Sequence, residues 1–522
     1  MGAVGKFIIV DRHQYATNYR RNVDSRKMSK QIAANLGFML QLAGLVSLLP
    51  VVVGLLLNEI QTLPALFLVT VAFFALGFLM NSLSERRELG FLSSIFFITL
   101  SFILLALVGA IPYFYVDPFT SPNILDRFTN SFFESASGFT TTGFSFIQTP
   151  ETLPSSLLLY RSTTELMGGV GIVFLLLSFF NSRDSLGRLG DALGIKRLGP
   201  NPRTTFLFIL MIYSAFIAAA TSLFYLMGYR DLIRSGSFAI DMLTGGFAPS
   251  TGAFSQYLNP PALITISLLM FIGSVNFDLL YSFITRRLAG LDTSEIVTYV
   301  IVLGGGTVLL MAASGVGVFD SFIHVLSMSS STGLDYLNLT TMNDTVAWLF
   351  ILLMLLGGCS FSMAGGVKMD RVVALARSCK LYVNDALGEE TTQPSGSYLV
   401  YEFTPALINI IVYVAVFAAL SLIFSTMGVS LRDALFETAS ALTTCGASTG
   451  ATHLGMPILY KWLLILAMII GRVETLPVLI SVAVVCRVAM VVLGEVSSRV
   501  KSMPKRSRAP QKERDHDSPE NL

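Results

Sequence analysis

Two stretches of the chain carry the same run of residue types. Phe133-Glu-Ser-Ala-Ser-Gly-Phe-Thr-Thr-Thr-Gly-Phe-Ser145 aligns without a gap to Phe436-Glu-Thr-Ala-Ser-Ala-Leu-Thr-Thr-Cys-Gly-Ala-Ser448, with eight of thirteen positions identical. Hydroxyl residues leading into a glycine suit a chemistry of oxygen ligands. Glycine permits the unusual dihedrals that turn successive carbonyls inward, and inward carbonyls replace a cation's hydration shell. Thr and Ser hydroxyls brace such a backbone. A third segment, from Asp320 to Gly333, places Ser327 and Gly333 in the same relation as Ser137 and Gly143, or Ser440 and Gly446. A fourth, from Ser237 to Ala248, fits most simply with Gly246 as the equivalent glycine, although Ser250-Thr251-Gly252 also matches. The candidate ion ligands are therefore Thr141, Thr142 and Gly143; Thr244, Gly245 and Gly246; Ser331, Thr332 and Gly333; and Thr444, Cys445 and Gly446. Two positions depart from the pattern: Cys445 stands where the first loop has Thr142, and Leu243 where a hydroxyl is expected.

The elements that must position these residues belong to a membrane. The chain has 522 residues, 53% of them hydrophobic and 13% charged, with a formal net charge of +2; an ordinary soluble domain is about 25% charged. That composition excludes a soluble enzyme, and so weak a positive balance gives a polyphosphate no footprint, so no nucleic acid is expected. Four histidines and four cysteines show no ligand spacing, so neither a metal centre nor a disulfide framework is expected. Nor is there a glycine-rich Rossmann or phosphate-loop fingerprint. Apolar runs of about 20 residues recur along the chain, each long enough to cross about 30 Å of hydrocarbon. Ten are expected, near 34–57, 63–83, 91–115, 156–180, 204–228, 261–285, 293–313, 346–366, 402–427 and 458–492.

Basic residues cluster in alternate connections, at Arg86/Arg87, Arg183 to Arg203, Arg286/Arg287, Lys368 to Lys380 and beyond Arg499, which places those connections and both termini in the cytoplasm. The polar opening, with Arg20, Arg21, Arg26 and Lys27, does not read as a cleaved signal. The four Ser/Thr/Gly segments fall on the opposite side, each after a semi-apolar stretch too short to span. Broken backbone at membrane depth must be buried in protein or line an aqueous path, so four breaks imply one shared path. The fold expected is an all-α polytopic membrane protein. Four pseudo-symmetric helix, pore-loop, helix repeats surround one pore and follow two extra N-terminal helices. The short helices would aim their partly negative C-terminal ends at a cation.

Three further features point to the same path. Residues 357–366 hold Gly357, Gly358, Gly365 and Gly366 in ten positions, and each glycine weakens a helix by about 1 kcal/mol relative to alanine. A break there can act as a flap. Arg472 lies inside the last apolar run, where a charge costs at least about 2.5 to 3.5 kcal/mol; it faces either a pore or a structural pairing with Glu474. Glu134 and Glu437 recur at one repeat position, either lending negative potential to a vestibule or bracing the loops, and Asp241 and Asp335 are weaker vestibule candidates. His324 reads as a polar residue on a short helix. Arg161 and Lys368 read equally well as helix-end anchors or as functional groups, and Gly168/Gly169/Gly171 and Gly304/Gly305/Gly306 as close helix packing.

These loops, ASGFTTTGFS above all, resemble those of the Trk/Ktr/HKT superfamily of potassium and sodium transporters. The likeness extends over residues 33–500. Tyr160-Arg-Ser162 leading to Gly168-Gly-Val-Gly-Ile172 is similar to the family's second span of the first repeat. Thr244-Gly-Gly-Phe247 resembles its second filter loop, which favours Gly246 over Gly252. The stretch from Gly357 to Lys368 resembles its broken helix, and Gly471-Arg-Val-Glu-Thr-Leu-Pro477 its arginine-bearing last helix. The two added helices and the length point to the TrkH branch.

The resemblance implies a single-file K+ filter at the twelve loop residues, with a glycine in every loop as the potassium pattern. It also implies a gate formed by the loop of Gly357, Gly358, Gly365 and Gly366 together with Arg472. A homodimer in the inner membrane and a cytoplasmic nucleotide-binding regulatory subunit of the TrkA/RCK type follow from it too. The expected function is gated potassium uptake and not enzymatic; a Na+-permeable or H+/Na+-coupled relative is the alternative. The expected units are a cytoplasmic N-terminus (1–33), two added helices (34–84), repeat one (85–200), repeat two (201–290), repeat three with its intramembrane loop (291–387), a cytoplasmic linker (388–400), repeat four (401–498) and a disordered cytoplasmic tail (499–522).

Overall fold

The computed structural model describes residues 25–83, 89–179, 202–248, 259–285, 293–334, 339, 342–387 and 403–486. Among them every regular element is a helix. One compact unit runs through Val478; a second, from Leu479, is described only as the continuation of a helix to Cys486. The expected linker 388–400, the tail and the opening residues lie outside the described residues, as do Gly252 and Asp335.

Helices α1 (Ser25–Leu56) and α2 (Leu63–Asn81) are the two added spans. They cross closely at Gly37 and Gly77, where a Cβ at either glycine would meet the other's carbonyl. After them the same order recurs four times: a spanning helix, a short helix, an extended loop and a second spanning helix. The first round is α3 (Phe91–Gly109), the turn α4 (Ile111–Val116), α5 (Ile124–Phe139) and α6 (Ser155–Phe179). The second is α7 (Pro202–Leu226), α8 (Leu232–Thr244) and the pair α9 (Pro260–Ser274) and α10 (Phe277–Ile284). In the third come α11 (Ser294–Ser314), α12 (Val318–Ser329), α13 (Asp344–Leu356) and α14 (Met369–Ala386). The fourth holds α15 (Thr404–Thr426), α16 (Leu431–Leu442) and α17 (Ile458–Val473).

The short helices α5, α8, α12 and α16 have 16, 13, 12 and 12 residues. At about 1.5 Å per residue they fall short of the roughly 30 Å of hydrocarbon. Three begin at a side-chain cap: Asn123 accepts from the Asp126 amide, Asp231 from Ile233 and Arg234, and Ser430 from Asp433. Their C-terminal halves are wholly buried, polar residues included. Within each round the short helix packs on the spans either side of it. Between rounds the second spanning helix packs on the next short helix: α6 on α8, α9 on α12, α13 on α16, and α17 back on α5. The rounds therefore close into a ring.

Six described helices are long and apolar enough to span on their own. The expected stretch 261–285 is not one straight span, because α9 and α10 meet at 110°. The last stretch likewise breaks, at Glu474, whose φ is +75°. In the stretch 346–366 only the part to Leu356 is helical, and the glycine-rich segment follows. The helix breaks are satisfied by protein, as membrane depth requires. The carbonyls freed at Gly273 and Ser274 accept from Met363 N (3.0 Å) and Cys359 N (2.9 Å), and Phe277 N donates to the Phe361 carbonyl (3.0 Å). The segment 357–368 is thereby laced into the bend between α9 and α10.

Candidate cation site

Each short helix ends just before its candidate loop, and the loops share a backbone path. Thr141, Ser331 and Thr444 lie at φ of +56°, +61° and +52°, and the glycines two residues on, Gly143, Gly333 and Gly446, at +83°, +69° and +82°. A non-glycine residue in the left-handed region costs of order 1 kcal/mol or more and persists only where its surroundings impose it. Three recurrences mark a built feature. The second loop differs in register: α8 runs on through Leu243 to Thr244, and the positive dihedrals fall on Gly245 (+86°) and Gly246 (+135°). That explains Leu243, which is a buried last-turn helical residue rather than a loop residue.

The four loops meet edge to edge. A Cβ on Gly143 would collide with the backbone of Gly246, one on Gly245 with the carbonyl of Ser331, one on Gly333 with that of Cys445, and one on Gly446 with that of Thr142. The contacts run from loop one to two, three, four and back to one. All twelve candidate residues therefore gather in one ring of backbone, with Gly246 at the junction of the first two loops. Hydroxyls brace it from within: Thr140 and Thr142 Oγ1 lie 2.8 Å apart, as do Ser330 Oγ and Thr332 Oγ1. In the fourth loop the corresponding Sγ of Cys445 lies 3.9 Å from the Met328 carbonyl. The buried Oγ1 atoms of Thr141 and Thr444 have no hydrogen-bond partner among the described residues.

Carboxylates hold the outer limb of each strongly matched loop. Glu134 accepts from Ser145 Oγ (2.8 Å), Phe146 N (3.1 Å) and Arg161 Nη2 (2.9 Å). Glu437 accepts from Ser448 Oγ (2.7 Å), Thr449 N (2.9 Å) and Thr452 Oγ1 (2.6 Å). Both are fully buried, so of the two readings open for them bracing is the geometry present. Asp241 is buried too, not on an open vestibule wall, and His324 is a buried residue of α12 whose Nδ1 lies 2.7 Å from the Asp320 carbonyl.

Below the ring lies the glycine-rich segment. A Cβ on Gly365 would collide with the Thr443 carbonyl at the base of the fourth loop, and Gly365 N donates to Ser331 Oγ of the third (2.9 Å). Gly357 and Gly366, at φ of +70° and +90°, touch each other where the segment closes on itself, and Gly358 packs on Ser274. Arg472 donates to the carbonyls of Met363 (3.0 Å), Gly168 (3.0 Å) and Gly169 (3.2 Å). It does not pair with Glu474, which lies 2.5 Å from Arg371 instead. The i, i+2 spacing of Arg472 and Glu474 points the two side chains apart, which is why that pairing fails.

Several positions that hold the loops and the glycine-rich segment were not legible from local sequence. Glu165 braces the second loop, accepting from Phe247 N (2.7 Å). Glu295 accepts from Ser360 N within the glycine-rich segment and from Asn276 Nδ2 at 3.3 Å. Gly168 does more than pack helices: with Gly273 and Gly471 it seats a second spanning helix on the carbonyl end of a short helix, at Phe139, Leu243 and Leu442 respectively. Arg161 is no helix-end anchor, being 1% exposed and ion-paired to Glu134. The available signal was a pair of opposite charges one turn apart inside an otherwise apolar run.

The comparisons with known proteins meet this geometry. A family model described as TrkH, a cation transport protein, matches residues 287–492. The chain is 27% identical over 465 residues to an uncharacterized cation transporter of Methanocaldococcus jannaschii, covering 86% of this chain and 94% of that one. It is 28% identical over 382 residues to the Trk system potassium uptake protein TrkI of Halomonas elongata, covering 67% and 76%. The sequence is thus similar, over its third and fourth rounds, to the TrkH cation transport family. The chain is a multi-pass membrane protein, and the proteins it resembles are described as cation or potassium transporters. Its fold matches the crystal structure of the potassium transporter TrkH from Vibrio parahaemolyticus, with a TM-score of 0.72 at 22% identity over 86% of this chain and 98% of that one.

Proposed function

We propose that this chain is of the TrkH type and carries potassium into the cell through a selective single-file pore gated from below its filter. The observation that carries the reading is the closed ring of backbone in which Gly143, Gly246, Gly333 and Gly446 each abut a neighbouring loop. Such a ring offers carbonyl and hydroxyl oxygens and no charged side chain, which suits a weakly hydrated monovalent cation that must both bind and leave. The curated relatives named potassium uptake proteins support K+ as the cargo. The segment of Gly357, Gly358, Gly365 and Gly366, held by Arg472, forms the gate. The units follow the four rounds of helices, with 1–33, 388–400 and 499–522 cytoplasmic, both termini inside and the protein a homodimer in the inner membrane. A cytoplasmic nucleotide-binding subunit supplies regulation.

Flux of K+, Rb+ and Na+ into liposomes holding the purified protein tests this reading. Wild type is expected to pass K+ and Rb+ in preference to Na+, and Gly143→Ser and Gly446→Ser to lose that preference, since each adds a side chain where the neighbouring backbone leaves no room. A well-folded protein that passes no cation, or serine variants that match wild type, would overturn the filter.

A further inference from the structure

We propose that α6 is a positioning element for the filter, its Arg161 and Glu165 locking the first and second loops to one another and thereby setting which cation the ring accepts. The inference rests on the filter reading and adds residues that lie behind the ring. Arg161 reaches in two directions. Its Nη2 donates to Ser145 Oγ on the limb that leaves Gly143 and to Glu134 Oε1 of α5, which braces that limb, both at 2.9 Å. Its guanidinium also lies 4.1 Å from the Phe247 ring centroid, and its Nη1 is 3.5 Å from the Ala248 carbonyl, on the limb that leaves Gly246. One turn further along the same face, Glu165 accepts from Phe247 N at 2.7 Å and from Thr244 Oγ1 at 3.4 Å. A Cβ on Gly246 would run into Glu165 Oε1. Arg161, Glu165 and Glu134 are all at most 1% exposed.

The other loops are held differently. The fourth is braced by Glu437 of its own short helix, and the third by Ser327 Oγ donating to the Leu334 carbonyl (2.6 Å) and by Ser331 against Gly365. Lys461 of α17 also touches two loops, donating to the Leu454 carbonyl beyond the fourth (2.8 Å) and lying 5.1 Å from the Phe146 ring of the first, but it is a single cation, whereas α6 supplies a pair of opposite charges. The first and second loops are also where the ring is thinnest. Gly143 meets Gly246 directly, and Gly245 stands where the other loops carry Thr142, Thr332 or Cys445. A junction of two glycines has no side chain of its own to fix its spacing, so the spacing is set from behind. A helix is rigid, and opposite charges four residues apart on one face hold both limbs in register. Since selection between K+ and Na+ depends on where the oxygens are held, the pair acts on specificity through the loops, without touching the ion.

The test is the K+/Na+ flux ratio of the full-length protein in liposomes for Glu165→Ala, Glu165→Gln and Arg161→Lys, with Gly143→Ser as the reference. Glu165→Ala is expected to lower the ratio about tenfold, the scale of one buried hydrogen bond left unsatisfied. Glu165→Gln, which keeps an acceptor for Phe247 N, is expected to restore most of it, and Arg161→Lys, which loses the fork, to fall between. A merely structural role would lower yield and thermal midpoint in all of them while leaving the ratio of the folded fraction unchanged. If monodisperse Glu165→Ala and Arg161→Lys keep the wild-type ratio while Gly143→Ser lowers it, the buttress is wrong and the filter stands. Should Glu165→Ala not fold, Glu165→Asp, which keeps the charge but draws the carboxylate back from Phe247 N, decides in the same way. If Gly143→Ser also leaves the ratio unchanged, the filter reading fails and this inference with it.

Discussion

Arg472 is the one buried cation of the last helix whose polar contacts are all backbone: three carbonyls, from Met363, Gly168 and Gly169, receive its guanidinium, and its Nε has no partner. Removing it frees the glycine-rich segment from both α6 and α17 and deletes a positive charge under the ring. Arg472→Met is therefore expected to raise resting K+ flux in liposomes several-fold without changing the K+/Na+ ratio, because the ring's own oxygens are untouched. Unchanged or lower flux would remove Arg472 from the gate. The residue was legible because a charge in an apolar run is costly wherever it sits. Its partners were not, since Met363 and Gly168 lie in other rounds and contribute only backbone. For the same reason Glu134 and Glu437 stood out as a repeated pair, while Glu165, unmatched in any other loop, did not.

At the scale of elements, the breaks decide how the glycine-rich segment, the proposed gate, is held. Residues 357–368 are pinned on one side to the bend of α9 and α10, and at their far end the first turn of α14 carries Arg371, 2.5 Å from Glu474 at the break after α17. That pair joins the exit of the gate segment to the hinge of the last helix. Its side chains are only 8% and 15% exposed, and removing one partner of a buried pair costs about 3 to 5 kcal/mol. Glu474→Gln is thus expected to lower the thermal midpoint by several degrees in a detergent melt, and Arg371→Met/Glu474→Leu to recover part of the loss. A double variant that is additive would show the two residues do not act together. The break in α9 could not be read beforehand because Ser274-Val275-Asn276 lacks proline and is apolar enough to continue a helix. The bend is imposed by the amides of Cys359 and Met363, about ninety residues away in the chain. The first and fourth loops, by contrast, were read residue by residue, because the repeat supplied its own comparison within one chain.

For the molecule as a whole, the ring fixes which ends of the helices share a side, and the basic clusters mark the side proposed to be the cytoplasm. The loops of the ring follow the C-termini of the short helices, and the basic cluster that is described, Lys368 to Lys380, lies on and just before α14. Helix α14 belongs to the basic side: it bears Arg371, Arg377 and Lys380, with Arg377 Nη2 donating to Ser294 Oγ at the start of α11 (2.7 Å). Cys379 is exposed on this helix, whereas Cys359 and Cys445 are buried in the gate segment and the fourth loop. A membrane-impermeant maleimide should therefore label a Cys486→Ser variant at Cys379 in inside-out vesicles and leave right-side-out vesicles unlabelled. Cys359 and Cys445 should react in neither until the protein is denatured. A cysteine placed at Gly450, beyond the fourth loop, should show the reverse sidedness. If Cys379 reacts from the outside, the basic connections do not mark the cytoplasm, the ring faces inward, and the direction proposed for gating from below is inverted, although the ring itself would remain.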